Sequence, residues 1–190
     1  SSLNIRIGAL KRISKIASFK TRLSVCSSLV ISKILYVLPL YGGAPEYMMT
    51  ALQQKMTAAL RIVTKKKWDV RGRHLISTAE LLNQCGLLSV KQMVFYHSVS
   101  AVHKLLMHRA PEYLYKVVTN ALASGVRHRY PTSTAGMRGV TPAWLSVANT
   151  SFRWRAATQY AALPQDLQRE RSLPRFLTAL RDYTRRHVPI

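Results

Sequence analysis

Acidic residues are scarce in this chain. Its 190 residues include 7 Asp and Glu against 29 Lys and Arg, which gives a formal net charge of +22. Enzymes of nucleotidyl and phosphoryl transfer use convergent carboxylates to hold metal ions, but no two acids here are adjacent or stand in a metal-binding motif. The sequence therefore predicts no enzymatic activity of its own, no catalytic residue, no metal site and no cofactor. The acids are Glu46, Asp69, Glu80, Glu112, Asp166, Glu170 and Asp182.

Cysteine is also nearly absent, and histidine is not arranged for metal binding. Cys26 and Cys85 are far apart, with no partner spacing for zinc or redox chemistry. They indicate packing in a reducing compartment. The spacings of His97, His103 and His108 are not those of i, i+4 ligands on one helix face. We expect these histidines to face solvent or phosphate.

The chain has no long uninterrupted hydrophobic run. The most apolar region, residues 23–41, contains Lys33 and four serines and reaches Pro39. A membrane span needs about 20 predominantly apolar residues in one helix. The region therefore predicts a buried helix, and we expect no membrane partner.

Apolar residues are nevertheless abundant, at 48% of the chain, and they recur at helical spacing. In the first segment Leu3, Ile7, Leu10, Ile13 and Ile16 form one apolar stripe. We find no strand pattern, so the predicted fold class is all-α. Predicted helices, after the opening one, span about 20–37, 46–64, 78–86, 89–107, 111–118, 152–162 and 172–187.

Composition divides the chain into three predicted parts. Residues 1–119 are predicted to form a helical bundle, and residues 151–190 a small, basic C-terminal helical segment. Residues 120–150 are rich in Ser, Thr, Gly, Pro and Arg. They are typical of a flexible basic linker, or of a loop that orders on a partner.

The positive charge points to a polyanion, and nucleic acid is the commonest polyanion partner in cells. The alternative is a charge that only aids solubility, although net charges of about 2 to 8 suffice for that in small domains. A first candidate site is a loop that combines cations with an aromatic ring able to stack on an unpaired base. Alternatively, its tryptophan packs on the preceding helix. This loop contains Lys65, Lys66, Lys67, Trp68, Arg71 and Arg73.

Three further groups of cations are candidates for phosphate contact. Arg127, Arg129 and Arg138 lie in the predicted linker, where the alternative is a solvated stretch. Arg153 and Arg155 flank Trp154, which we expect in the core while the arginines face outward. The last predicted helix carries a row of arginines, usually a solvated face, that is long enough to follow a nucleic-acid backbone. These are Arg171, Arg175, Arg181, Arg185 and Arg186.

Three strings of the chain carry a family resemblance. They are IGALKRISKIASFKTRL at 7–23, SKILYVLPLYGG at 32–43 and SFRWRAATQYAALPQDLQ at 151–168, followed by a helix with Leu173, Phe176 and Leu180. Together they resemble the region that follows the catalytic palm in reverse transcriptases of non-LTR (LINE-like) retrotransposons. That region comprises the helical thumb and the C-terminal segment after it. The fingers, the palm with its aspartate pair, the endonuclease and a zinc knuckle have no counterpart here.

The resemblance implies binding rather than polymerisation. A thumb-like bundle would lie along the backbone and minor groove of a template–primer duplex, and the basic segment after it would grip structured RNA. The 65–73 loop and the arginines from Arg153 to Arg186 match that segment. Such recognition uses shape and phosphate more than base edges. The residues that match the basic surface of the thumb are Arg6, Lys11, Arg12, Lys15, Lys20 and Arg22.

We therefore expect a non-catalytic module whose partner is structured RNA or an RNA/DNA duplex. The alternative is a repurposed structural subunit of a large ribonucleoprotein, such as an organellar ribosome, with other proteins as partners. A short chain whose two ends lie near the ends of the resemblance favours it. The start at Ser1, without Met, indicates a processed end or a piece of a longer protein. The expected location is intracellular, in a nuclear, cytoplasmic or organellar ribonucleoprotein.

Overall fold

The protein is mostly helical in a computed structural model, which describes residues 2–36, 38, 43–65, 76–123 and 152–190. No strand occurs in these ranges, and the predicted all-α class is confirmed. None of the helices within them is long and apolar enough to cross a bilayer. The α-helices are α1 Ser2–Ile13, α2 Phe19–Cys26, α3 Ser32–Leu35, α4 Glu46–Thr64, α5 Thr78–Cys85, α6 Val90–His108, α7 Glu112–Ala123, α8 Phe152–Ala161, α9 Gln165–Arg169 and α10 Leu173–His187.

Helix ends follow local side-chain chemistry. The Ser89 hydroxyl accepts a hydrogen bond from the Gln92 amide at 3.2 Å, while the Gln92 side-chain oxygen accepts one from the Ser89 amide at 3.0 Å. This reciprocal capping box confirms the predicted start of α6 at Ser89. Gly86 ends α5 with φ +66°, and the amide of Leu87 donates to the Leu82 carbonyl at 2.9 Å. Glycine adopts this left-handed conformation without steric cost.

The second predicted helix contains a π-helical turn. The segment Ser27–Ile31 lies between α2 and α3, and the amide of Ser32 donates to the Ser27 carbonyl, five residues earlier. The consecutive residues Val30 and Ile31 are both buried. The wide turn therefore lies in the core, and the sequence, which predicted one regular helix over 20–37, did not indicate it.

The chain forms two compact units. Unit 1 contains residues 1–38, 44–93 and 189–190, and unit 2 contains residues 39–43 and 94–188. The division falls within α6, so the first turn of this helix belongs to unit 1. The predicted linker over 120–150 lies almost entirely outside the described residues, and its boundaries remain a prediction.

Unit 1 is built around α4, which packs against α1, α2 and α5. Leu10 of α1, Met56 and Leu60 of α4, and Leu81 of α5 are fully buried in it. Cys26 is buried too, and burial together with the nearby Cys85 raises the pKa of its thiol to about 12. Protonated, buried thiols agree with the packing role predicted for both cysteines.

Polar contacts in unit 1 tie α4 to the start of α6. The side-chain oxygen of Gln53 accepts a hydrogen bond from the Val90 amide at 2.8 Å, and its amide nitrogen donates to the Thr57 hydroxyl at 3.3 Å. Glu46 and Lys91 form an ion pair at 2.6 Å. A cleft of about 520 Å³ runs along these residues, and the polar groups of Gln53, Glu46 and Lys91 that line it are engaged in these contacts. They hold two helices together rather than presenting a reactive group.

Unit 2 has its own apolar core. Val102 of α6 and Val118 of α7 join Ala156 of α8 with Phe176 and Leu180 of α10 in one cluster. Helix α7 packs directly on α8, and α9 on α10. The helices before and after the undescribed segment 124–151 therefore share a single core.

His103 lies inside the core of unit 2, only 2% exposed. Its ring stacks on Phe176 with centroids 3.5 Å apart, and its Nδ1 lies 3.1 Å from the Tyr160 hydroxyl. That hydroxyl donates to the Gln168 carbonyl at 3.4 Å, which leaves it to accept from Nδ1–H. The expectation of a solvated or phosphate-facing histidine was wrong for His103, because α10 covers this face of α6.

Burial lowers the pKa of His103 below its ordinary value of 6.5, and this effect exceeds the opposing influence of the Glu170 carboxylate and backbone. Burial also lowers the pKa of His97, and Lys104 adds to that shift. The unfolded chain therefore takes up protons at these positions before the folded chain does. As a result, the contribution of these histidines to the free energy of unfolding is retained above about pH 6.5 and is lost as the pH falls below it.

We expect the free energy of unfolding to fall as the pH is lowered from 7.5 to 5.5, by up to about 1.4 kcal/mol per pH unit for each of His97 and His103. The variant His103→Gln should make this dependence shallower without abolishing it, because His97 still contributes. Chemical denaturation across this pH range measures it. The exposed His108 provides the control His108→Gln, and equal slopes for the two variants would contradict the assignment.

Candidate nucleic-acid interface

Most of the described candidate cations are on the protein surface. Arg6 and Arg155 are half-buried, the backbone of Arg153 lies in α8, and Arg22 is buried. The predicted residues Lys66, Lys67, Trp68, Arg71, Arg73, Arg127, Arg129 and Arg138 lie outside the described residues. The exposed ones are Lys11, Arg12, Lys15, Lys20, Lys65, Arg171, Arg175, Arg181, Arg185 and Arg186.

Arg22 does not belong to the surface that was predicted for it. Its side chain is 7% exposed, its Nε donates to the Val63 carbonyl at 2.7 Å, and its Nη1 donates to the Ala17 carbonyl at 2.6 Å. A guanidinium has several donors in a fixed planar arrangement, so it can satisfy two carbonyls at once. We therefore correct the role of Arg22 from phosphate contact to support of the fold.

The two hydrogen bonds of Arg22 bring separate basic segments to one end of unit 1. Ala17 lies in the turn between α1 and α2, and Val63 lies in the last turn of α4, two residues before Lys65. The turn and the end of α4 are thus held on the same guanidinium. We call the exposed cations there the basic end of unit 1: Lys11, Arg12, Lys15, Lys20 and Lys65.

The turn between α1 and α2 is well ordered by hydrogen bonds. The amides of Ile16 and Ala17 both donate to the Ile13 carbonyl, at 3.3 Å and 3.1 Å. Ser18 caps α2, since its hydroxyl accepts from the Thr21 amide at 3.3 Å. Because α1 ends at Ile13, Ile16 does not continue the apolar stripe predicted for it. Its side chain is 93% exposed instead.

The last helix presents its arginines as predicted. Phe176 and Leu180 of α10 are fully buried, and Thr184 one turn later is buried as well. The exposed side of the same helix carries four of the predicted arginines, while Arg171 is exposed just before the helix. The four are Arg175, Arg181, Arg185 and Arg186, and the exposed Asp182 lies among them. The orientation follows from the 3.6-residue period, which places the apolar and the basic positions on opposite faces.

Other candidate arginines are partly engaged inside the protein. The Nη1 of Arg6 donates to the Leu29 carbonyl at 3.2 Å, which ties α1 to the π-helical turn. Arg155 is half-buried, and burial lowers the pKa of its guanidinium. These two positions are less available to a polyanion than the exposed cations.

Several acids are already used in the described parts of the chain. Glu46 pairs with Lys91, and Glu112 pairs with Lys116 at 2.7 Å. A side-chain oxygen of Glu170 accepts a hydrogen bond from the Ser172 amide at 2.8 Å, just before α10. Within the described ranges no three His, Cys, Asp or Glu side chains are grouped so that they could hold a metal ion. The exposed cations are the chemical groups from which a binding function can be argued.

Comparison with protein-family models, with curated proteins and with solved structures finds no match to this chain. The resemblance to the thumb of non-LTR reverse transcriptases stays a prediction from the sequence. Function is argued below from the placement of the charged and apolar side chains.

Sequence reasoning missed the structural role of Arg22, although a signal was present. Arg22 stands one helical turn before Cys26 and two turns before Val30, and both of these are buried. A cation inside an apolar stripe indicates a buried, hydrogen-bonded group rather than a surface charge. The exposure of Ile16 had no such signal, because this residue also fits the predicted stripe.

We expect Arg22→Met to destabilise the protein by about 2 to 4 kcal/mol, because it leaves two backbone carbonyls without their donors. Arg22→Lys should lose part of this stability, since an ammonium cannot reproduce the planar donor geometry. Urea denaturation measures both. The matched control Arg12→Met, at an exposed position, should stay within about 0.5 kcal/mol of the wild type. An Arg22→Met protein as stable as this control would refute the role assigned to Arg22.

Proposed function

We propose that this protein is a non-catalytic RNA-binding module that holds structured RNA, or a template–primer duplex, through its phosphates. The observation that carries the proposal is the placement of exposed cations. The basic end of unit 1 and the arginine face of α10 in unit 2 both present them, while described acids such as Glu46 and Glu112 are paired with lysines. An excess of exposed cations favours a polyanion and steers it electrostatically.

The likeness to the post-palm region of non-LTR reverse transcriptases supports the same proposal. In that interpretation the helical bundle over residues 1–119 corresponds to the thumb, and residues 151–190 correspond to the basic segment after it. Contacts with phosphates fix position without reading sequence. We therefore propose binding by shape and charge, with little dependence on base sequence.

The salt dependence of RNA affinity tests the proposal. If about six phosphates are neutralised, log Kd should rise with log salt concentration with a slope of about 4 for a single strand and about 5 for a duplex. Fluorescence anisotropy with a labelled RNA hairpin and with an unpaired strand measures this. Affinity that is independent of salt would contradict phosphate binding.

The contribution of the exposed arginines of α10 to RNA binding is tested separately with a double variant. We expect Arg175→Gln/Arg186→Gln to reduce the salt slope by about 1.4 to 1.8, because each lost phosphate contact removes about 0.7 to 0.9. The matched control Lys91→Gln/Lys116→Gln removes the same charge from residues already paired with Glu46 and Glu112. It should leave the slope nearly unchanged. Equal effects of the two variants would show that only net charge matters.

The native complex distinguishes the RNA-binding module of a retroelement from the ribonucleoprotein subunit. The protein is isolated at low salt, and the RNA and proteins that accompany it are identified. A single element-derived RNA, with polymerase domains on the same chain, supports the proposal in its reverse-transcriptase form. Ribosomal RNA with many stoichiometric proteins would instead assign the chain to a structural ribonucleoprotein.

A further inference from the structure

The turn between α1 and α2 exposes apolar side chains among cations. Ile16 is 93% exposed, and Phe19 and Ile13 are 38% and 37% exposed. Lys15 and Lys20 flank them in sequence, and both are exposed as well. Scattered apolar residues on a surface need no explanation, but three grouped at one turn and the adjoining helix ends indicate an interaction site.

The turn between α1 and α2 is fixed by several hydrogen bonds. Its backbone is closed by hydrogen bonds to the Ile13 carbonyl, and Ser18 caps the helix that follows. Buried Arg22 donates to the Ala17 carbonyl in the middle of the turn. A rigid turn loses little conformational entropy on binding, so its exposed side chains are preorganised for contact.

The charge around the turn selects the class of partner. Lys11, Arg12, Lys15 and Lys20 surround the apolar residues, and no acidic residue precedes Glu46 in the sequence. The partner must therefore combine negative charge with apolar faces. RNA with unpaired bases does so, because phosphates lie beside the flat faces of the bases.

We propose that this turn contacts unpaired RNA bases, with Phe19 stacking on a base, Ile16 packing beside it, and the flanking cations on the neighbouring phosphates. An anionic lipid surface also combines charge with apolar groups, but lipid-binding helices bury a whole apolar face. Strong exposure here is limited to Ile16, beside the partly exposed Ile13 and Phe19. The inference rests on the proposed function and narrows it to RNA whose loops, bulges or ends expose bases.

The test compares Ile16→Ser/Phe19→Ser with wild type on a labelled RNA strand of about 16 nucleotides and on the same strand with abasic residues. We expect the variant to bind the intact strand at least about fivefold more weakly, since stacking contributes this much per base. Its salt slope should not change, because no cation is removed. On the abasic strand, wild type and variant should bind equally.

The matched control is Ile5→Ser/Tyr47→Ser. It also removes one aliphatic and one aromatic side chain, 76% and 73% exposed, from positions outside the turn. It should bind like the wild type. Ile16→Ser alone repeats the test with less risk to folding, and circular dichroism verifies the helical content of every variant. Full affinity of the turn variants, or a loss that persists on the abasic strand, would overturn the inference.

The outcomes also separate this inference from the proposed function. If wild type binds RNA with the expected salt slope and the turn variants bind equally well, the turn inference fails while phosphate binding stands. If wild type shows no salt-dependent RNA affinity, the proposed function fails. Vesicles rich in anionic phospholipid complete the test. Binding to vesicles that is lost in the turn variants, with unchanged RNA affinity, would assign the turn to a lipid surface and overturn the inference.

Discussion

Mutual repulsion among 29 lysines and arginines, opposed by only 7 acids, is the constraint on which this structure depends. Two apolar cores must hold the chain together against it. Most cations in the part of the chain that the structure describes accordingly lie on exposed helix faces, where water and counterions screen them. Glu46 and Glu112 are in ion pairs with nearby lysines. The unbalanced remainder is the chemical basis for the polyanion partner that we propose.

Within the described ranges each unit also buries one basic side chain, and the two offset the cost of desolvation differently. Arg22 donates hydrogen bonds to two backbone carbonyls, those of Ala17 and Val63. His103 stacks on Phe176 and contacts the Tyr160 hydroxyl, and burial favours its neutral form. A charge needs polar partners when buried, whereas a histidine can lose its proton. The hydrogen bonds of Arg22 join segments that are distant in sequence. The burial of His103 makes the free energy of unfolding depend on pH.

The buried guanidinium connects fold and proposed function. By joining the α1–α2 turn to the end of α4, Arg22 places cations from two parts of the chain at one end of unit 1. It also holds the turn that exposes Ile16 and Phe19. Arg22, which was expected to touch phosphate, thus acts by holding neighbouring cations and apolar side chains in exposed positions. Preorganised cations and apolar groups bind with a smaller entropic cost than flexible ones.

The sequence by itself determined helicity, the caps at Ser89 and Gly86 and the outward arginines of α10, because these depend on residues within a few positions of one another. It also indicated, through charge, the class of partner that we propose. Only the tertiary structure decided that Arg22 and His103 are buried, that Ile16 is exposed, and that α7 packs on α8. Burial depends on which helix covers a given face, and that partner lies far away in the sequence.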